Sequence, residues 1–259
     1  MDFTQISTKI LSFLSIFPDL WEVKLSGLIF TFFGALGGII LVYQKLKDTF
    51  FYKRRWLNNL QQLAPGTTMA FFVSILGTPI FVKKGMQNTK RCVFVHNLFY
   101  VEAVTNLDDE VQMFSVTTRS ENFNPILILG PYTTDNTFVS VQLGKTKFSE
   151  LDILGYEGRV ESGVGNRRAF YNEEYYFGNP GLYQTYVLSY NDAGTREINA
   201  TAADLNAGAN TTTDPRLKEL RTHSVINTYS ITAPSINLQS LGVSPWLGAD
   251  YDQVRVLER

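Results

Sequence analysis

An uncharged run of twenty residues, 25–44, constrains this chain more than any other feature, and Lys24 and Lys45 flank it. An α-helix rises about 1.5 Å per residue, so about 20 apolar residues cross the roughly 30 Å of hydrocarbon in a bilayer. The run therefore predicts a transmembrane helix within residues 21–55, with the rest of the chain held at a membrane.

Basic residues cluster directly after this run, at Lys45, Lys47, Lys53, Arg54 and Arg55. Positive charge concentrates on the cytoplasmic side of membrane helices. The sequence therefore predicts a single-pass protein of a bacterial inner membrane, with the N-terminus outside and the soluble region in the cytoplasm. The same side chains are the predicted contacts with lipid headgroups.

Small residues inside the run predict helix packing, because Gly34 and Gly38 form a Gly-x-x-x-Gly that allows close approach of a second helix. A protein partner or a second copy of the chain is therefore expected. Residues 1–20 place apolar side chains mostly three or four positions apart and reach a proline at Pro18. This spacing predicts an amphipathic helix at the membrane interface.

Charge and composition exclude several classes of function. Residues 1–55 hold seven Lys/Arg and four Asp/Glu, whereas residues 56–259 hold sixteen and twenty. A net-acidic region without a basic stripe argues against nucleic-acid binding. Because Cys92 is the single cysteine and His96 and His223 are the two histidines, neither a disulfide nor a Cys/His metal site is expected. No motif assigns a catalytic residue or a cofactor, so we expect none.

The region after residue 55 contains an internal repeat. Residues 66–77 and 144–155 share identical residues at an offset of 78: Gly66/Gly144, Thr68/Thr146, Ile75/Ile153, Leu76/Leu154 and Gly77/Gly155. Further along, residues 110–117 match residues 182–189 in the placement of apolar side chains. A repeat usually means that one supersecondary unit is built twice. Each copy predicts a short helix and an antiparallel meander, at residues 56–130 and 131–195, followed by a linker and C-terminal extension at 196–259.

The Gly-x-Thr opening, the short helix and the sequence Leu76-Gly77-Thr78-Pro79 before a meander resemble the module of SmpA/OmlA-type envelope lipoproteins. A tandem pair of such modules resembles the architecture of the β-lactamase inhibitor protein (BLIP). The resemblance covers about residues 64–190. It implies a duplicated α+β fold and a protein-binding rather than catalytic role. The whole chain also resembles an uncharacterised family of bacterial single-span membrane proteins.

Tyrosines are the most suggestive feature for binding, because tyrosine is enriched at the energetic centres of protein interfaces. Strand alternation predicts that about half of them face the core. They are Tyr171, Tyr175, Tyr176, Tyr183, Tyr186 and Tyr190.

The sequence favours a membrane-anchored, non-catalytic protein-binding or assembly module. One alternative is a membrane-anchored hydrolase or ligand sensor with a pocket between the two modules, because a nucleophile and a histidine can meet in space without a sequence motif. Another is an accessory subunit that acts through its helix–helix contact.

Overall fold

The computed structural model describes residues 37–44, 51–86, 88–131, 138–154, 156–164, 169–178, 181–194, 201–206, 208–243, 247–250 and 254. The chain divides into two compact units, residues 1–55 and residues 56–259. The amphipathic helix predicted for residues 1–20 lies outside the described residues, as does residue range 25–36 of the uncharged run.

In the first unit, residues 37–44 and 51–55 are helical. Searching the described ranges finds no helix that is both long and apolar enough to cross a membrane. The prediction of a membrane-anchored fold with a transmembrane helix is therefore wrong, and so is the single-pass inner-membrane location that depended on it.

The second unit is built on one eight-stranded antiparallel sheet with the order β1-β2-β3-β4-β10-β9-β8-β7. A separate two-stranded hairpin pairs β5 with β6. The strands are β1 (Phe81–Lys84), β2 (Lys90–Val95), β3 (Phe99–Thr105), β4 (Val111–Thr118), β5 (Ile126–Pro131), β6 (Phe138–Gln142), β7 (Arg159–Val164), β8 (Ala169–Phe177), β9 (Gln184–Asn191) and β10 (Thr228–Thr232).

The sheet consists of two four-stranded meanders, β1 to β4 and β7 to β10, that meet where β4 pairs with β10. The sequence predicted fewer strands in each copy and matched residues 110–117 with 182–189, which are β4 and β9. By position in the sheet, β4 corresponds to β10 and β9 corresponds to β3. The sequence did not predict that β10 is the fourth strand of the second copy, because 36 residues, 192–227, separate it from β9.

Helices and the hairpin cover one side of the sheet, the helical face. Residues 56–61 are helical, and the other elements are α1 (Met69–Leu76), α2 (Ala202–Leu205), α3 (Lys218–His223) and the 3-10 helices Phe148–Leu154 and Pro215–Leu217. The Thr68 hydroxyl accepts the Phe71 N–H, and Gly77 ends α1 with φ 86°. Leu60, Phe72, Leu129 and Phe148 join the apolar residues of this face in the main core.

The C-terminal segment, described at residues 233–243, 247–250 and 254, covers much of the opposite side, the C-terminal face. Leu238, Leu241 and Leu247 pack against Met113 and Val187. This face of the sheet also carries a row of buried hydroxyl groups at its centre, where Ser115 Oγ and Ser230 Oγ lie 2.7 Å apart. A short helix, α4 (Leu238–Leu241), lies within this segment.

His96 lies in the β2–β3 turn, and its ring centroid is 4.3 Å from that of Trp56 and 4.7 Å from that of Phe99. Its Nδ1 accepts the Leu98 N–H at 3.2 Å, which requires an unprotonated Nδ1. Burial lowers the pKa of His96, and the nearby Arg119 lowers it further. The folded protein therefore favours the neutral imidazole.

Stability should fall as the pH is lowered through the range in which His96 takes up a proton. Because its folded pKa is below its unfolded value of about 6.5, its contribution is present above that pH and is lost as the pH falls through the folded pKa. Urea unfolding at pH 7.5, 6.5 and 5.5 should show a smaller pH dependence for His96→Gln than for the wild type. The exposed His223 supplies the control: if His223→Gln flattens the profile as much, the assignment to His96 is wrong.

Candidate protein-binding surface

Strand β8 carries a carboxylate, Glu173, whose side chain is fully buried on the helical face of the sheet. Tyr171 Oη and Tyr175 Oη each donate to it at 2.7 Å. Arg221 Nε donates to the same carboxylate at 2.7 Å. The result is a rigid charged cluster that ties α3 to the middle of β8.

Arg221 uses its whole guanidinium. Besides Glu173, it contacts Asp152 Oδ1 at 2.6 Å and donates to the carbonyl oxygens of Thr212 at 3.2 Å and Phe148 at 3.0 Å. These contacts join β8, α3, the 3-10 helix Phe148–Leu154 and the loop before α3. A buried arginine is tolerated here because each of its N–H groups can find an acceptor.

Burial shifts the titration of this cluster. It raises the pKa of Glu173, while the hydrogen bonds and positive charge of Arg221 and the tyrosine hydroxyls act in the opposite direction. Burial, followed by the Glu173 charge, raises the pKa of Tyr171 and of Tyr175. Both tyrosines therefore stay protonated donors, which is the form that the carboxylate needs.

Strand alternation places the next side chains of β8 on the other side of the sheet. There Tyr176 is 62% exposed, and its ring stacks on that of Tyr183, which is 40% exposed, with centroids 5.5 Å apart. Leu182, next to Tyr183, is 59% exposed. We call Tyr176, Leu182 and Tyr183 the aromatic patch.

The chain is held tightly around the aromatic patch. A Cβ on Gly178 would lie 2.5 Å from the Leu182 carbonyl oxygen, so this close approach requires glycine. The Ser235 N–H donates to the Tyr183 carbonyl at 3.2 Å, and Gln184 Nε2 donates to the Thr232 carbonyl at 2.9 Å. The patch is therefore an ordered apolar surface, which lowers the entropy lost on binding.

Charged residues border the patch on the part of the C-terminal face that β7 and β8 form. Arg159 and Glu161 are exposed, and Glu174 is partly exposed. Arg159 lies directly opposite Glu174 in the β7–β8 pairing. Burial raises the pKa of Glu174, and the Arg159 charge opposes this shift. An apolar centre with a polar rim is the usual arrangement at protein interfaces.

The six tyrosines divide unequally. Four are buried: Tyr171, Tyr175, Tyr186 and Tyr190. Tyr176 and Tyr183 are exposed and belong to the aromatic patch. Glu173 and Glu174 lie on opposite faces, as the strand pattern predicts. The composition of β8 did not reveal the cluster beneath it, because the partner Arg221 is 48 residues away in the chain. The available signal was the position of Arg221, which follows Leu217 by four residues and Leu220 by one and so lies on the apolar side of the helix.

The residues predicted for membrane packing and lipid contact belong to the first unit. Gly34, Lys45 and Lys47 lie outside the described residues. Gly38 is helical and exposed, and nothing lies within 4 Å of a Cβ placed on it. Lys53, Arg54 and Arg55 are helical, and the two arginines are exposed. The membrane roles predicted for these residues depend on the transmembrane helix.

A recess of about 10 Å³ lies at the other end of β8, lined in part by Asn172, Asn191 and Leu247. Typical small-molecule sites measure about 300–1,000 Å³. Within the described ranges, no three His, Cys, Asp or Glu side chains come together as a potential metal site. The hydrolase or ligand-sensor alternative stays a prediction.

Comparison with known proteins does not assign the chain to a family. No family model matches it, and no curated protein matches it. It is similar to an extracellular protein containing an SCP domain from Bacillus anthracis str. Ames, at 10% identity and a TM-score of 0.33, over 65% of this chain and 44% of that one. It is also similar to a cysteine-rich secretory protein from Staphylococcus aureus subsp. aureus Mu50, at 10% identity and a TM-score of 0.38, over 72% of this chain and 48% of that one. The chain spans less than half the length of either structure, and neither match transfers a fold or a function to it.

Proposed function

We propose that this chain is a non-catalytic protein-binding module that contacts its partner through the aromatic patch. The observation that carries the proposal is the exposure of the stacked pair Tyr176 and Tyr183 beside the exposed Leu182. Stacked exposed aromatics supply a large contact area at low entropic cost, and tyrosine is a frequent hot-spot residue. The resemblance to SmpA/OmlA-type and BLIP modules, which stays a prediction, implies the same class of role.

Two features of the fold support this assignment. The Glu173–Arg221 cluster makes β8 rigid directly behind the patch, so its side chains are presented in one arrangement. The C-terminal segment covers the central strands of the same face, while Tyr176 and Arg159 remain exposed. The open part of the face therefore joins an apolar centre to the charges of Arg159 and Glu161.

Site-specific photo-crosslinking tests the proposal. A photoreactive phenylalanine analogue placed at Tyr176 in the full chain, expressed in its native host, should yield a discrete adduct with one protein. The same analogue at Ile128, a half-exposed residue of the hairpin on the helical face, should not yield that adduct. No adduct at Tyr176, or the same adduct from both positions, would remove the patch as the binding surface.

A further inference from the structure

Among the described residues, no strand pairs with the outer edge of β1, at the end of the sheet opposite to β7. Ile80 and Val82 are 54% and 62% exposed there. The Gly85 N–H donates to the Thr89 carbonyl at 2.7 Å and closes the β1–β2 hairpin. In an antiparallel pair the hydrogen-bonded residues alternate, so Phe81 and Lys83 bond to β2. The N–H and C=O groups of Val82 and Lys84 therefore point outward.

Strand β7 holds the equivalent place in the second meander, and the chain covers its outer edge. The Val160 N–H donates to the Asn210 carbonyl at 2.8 Å, and the Thr212 N–H donates to the Gly158 carbonyl at 3.0 Å. Arg159 consequently pairs with Glu174 on one side and Thr211 on the other. Beneath this added segment, Val160 is 5% exposed. The second meander thus shows that an extended segment fits the edge of this unit.

Within the described part of the chain, β2 is the strand that pairs with β1, and no segment pairs with the outer edge. Lys83 contacts Asp250 Oδ2 at 3.6 Å, so Lys84 supplies the charge that decides what chemistry suits that edge. A second copy pairing through β1 would bring the Lys84 side chains of both copies onto one short ladder, where like charges repel. An extended segment with carboxylates beside apolar side chains would pair with Lys84 and cover Ile80 and Val82.

We propose that the outer edge of β1 binds an extended acidic segment of a partner protein by β-strand addition. In this mode the main-chain hydrogen bonds supply affinity, and alternate side chains supply specificity. The edge is seven strand spacings from β7, roughly 34 Å at about 4.8 Å per strand. It is therefore a second contact surface, separate from the aromatic patch, and the module could hold two proteins at once.

Val82 and Lys84 lie two residues apart on one face of β1, so the probe peptide carries its valines and its glutamate two positions apart. Fluorescence anisotropy of the full chain with this labelled seven-residue peptide, Thr-Glu-Thr-Val-Thr-Val-Thr, tests this surface. Val82→Pro removes an outward N–H while leaving the bonds to β2, which an edge strand tolerates. We expect saturable binding to the wild type and to the Ile128→Ser control, and binding at least about tenfold weaker to Val82→Pro. Circular dichroism checks that the variant is folded.

A charge reversal keeps the test decisive if Val82→Pro does not fold. Lys84→Glu changes one exposed side chain, and it should weaken the glutamate peptide and strengthen a matched valine–lysine peptide. Equal binding of the glutamate peptide by all variants, or no saturable binding to the wild type, overturns the proposal. Neither result depends on Tyr176 or Tyr183, so the function proposed for the aromatic patch would be unaffected.

Discussion

Replacing Arg221 with alanine should lower the free energy of unfolding by about 3–5 kcal/mol, the usual cost of removing one partner from a buried ion pair. Arg221 is 6% exposed and Glu173 is fully buried, so the variant leaves an uncompensated carboxylate in the core. It also removes the donors to the carbonyls of Phe148 and Thr212. Urea denaturation at pH 7 measures the loss.

Two further variants distinguish the effect of breaking the buried ion pair from the effect of losing an arginine charge anywhere in the chain. Arg216→Ala removes an arginine from an exposed contact with Asp214, and it should have a much smaller effect because exposed ion pairs are screened by water. The double variant Glu173→Gln with Arg221→Met should recover part of the stability, since it removes both charges together. If Arg221→Ala costs no more than Arg216→Ala, the cluster does not hold β8 in place.

Gly248→Ala should lower the free energy of unfolding by about 2–4 kcal/mol, combining left-handed backbone strain with overpacking. Gly248 has φ 87°, and a Cβ there would lie 2.6 Å from Thr117 Oγ1 and 3.1 Å from Asn191 Nδ2. Neither neighbour can move freely. Thr117 is fully buried and accepts from Thr228 Oγ1 at 2.9 Å, and Asn191 Nδ2 donates to the Leu247 carbonyl at 2.6 Å.

The matched control is Gly66→Ala, because Gly66 has φ 83° and nothing lies within 4 Å of its Cβ position. It should cost about 1–2 kcal/mol, from backbone strain alone. Hydrogen–deuterium exchange should show that Gly248→Ala loosens residues 247–250 and the β10 amides while α1 stays protected. Equal destabilisation by the two variants, or unchanged exchange at residues 247–250, would contradict the close packing of the C-terminal segment.

Local patterns predicted the parts of the fold that depend on neighbouring residues. Thr68 caps α1 and Gly77 ends it, because capping involves residues only a few positions apart. Alternation along β8 places Glu173 and Glu174 on opposite faces of the sheet. The pairing of β10 was not predicted, because its partners β4 and β9 are distant in sequence. The sequence left the role of residues 215–259 open. In the described part of this range, β10 completes the second meander, and residues 233–243 and 247–250 cover the C-terminal face.

The uncharged run at residues 25–44 misled the interpretation because hydropathy and length alone supported a membrane span. The sequence identified six tyrosines as candidate binding residues, which include both tyrosines of the aromatic patch. It could not tell which of the six are exposed and which are buried. Tyr175 and Tyr176 are adjacent but lie in different environments. Tyr175 donates a hydrogen bond to the buried Glu173, whereas Tyr176 is exposed and stacks on Tyr183. That difference depends on which side of the sheet the distant Arg221 occupies.

Isothermal titration calorimetry with the protein crosslinked at position 176 tests most directly whether the aromatic patch binds a protein. Tyr176→Ala combined with Tyr183→Ala should raise the Kd by at least about thirtyfold, the loss expected when a hot spot worth about 2 kcal/mol is removed. Ile128→Ala, on the opposite side of the sheet, should leave the Kd unchanged. If the double variant binds as tightly as the wild type, the patch is not the binding surface.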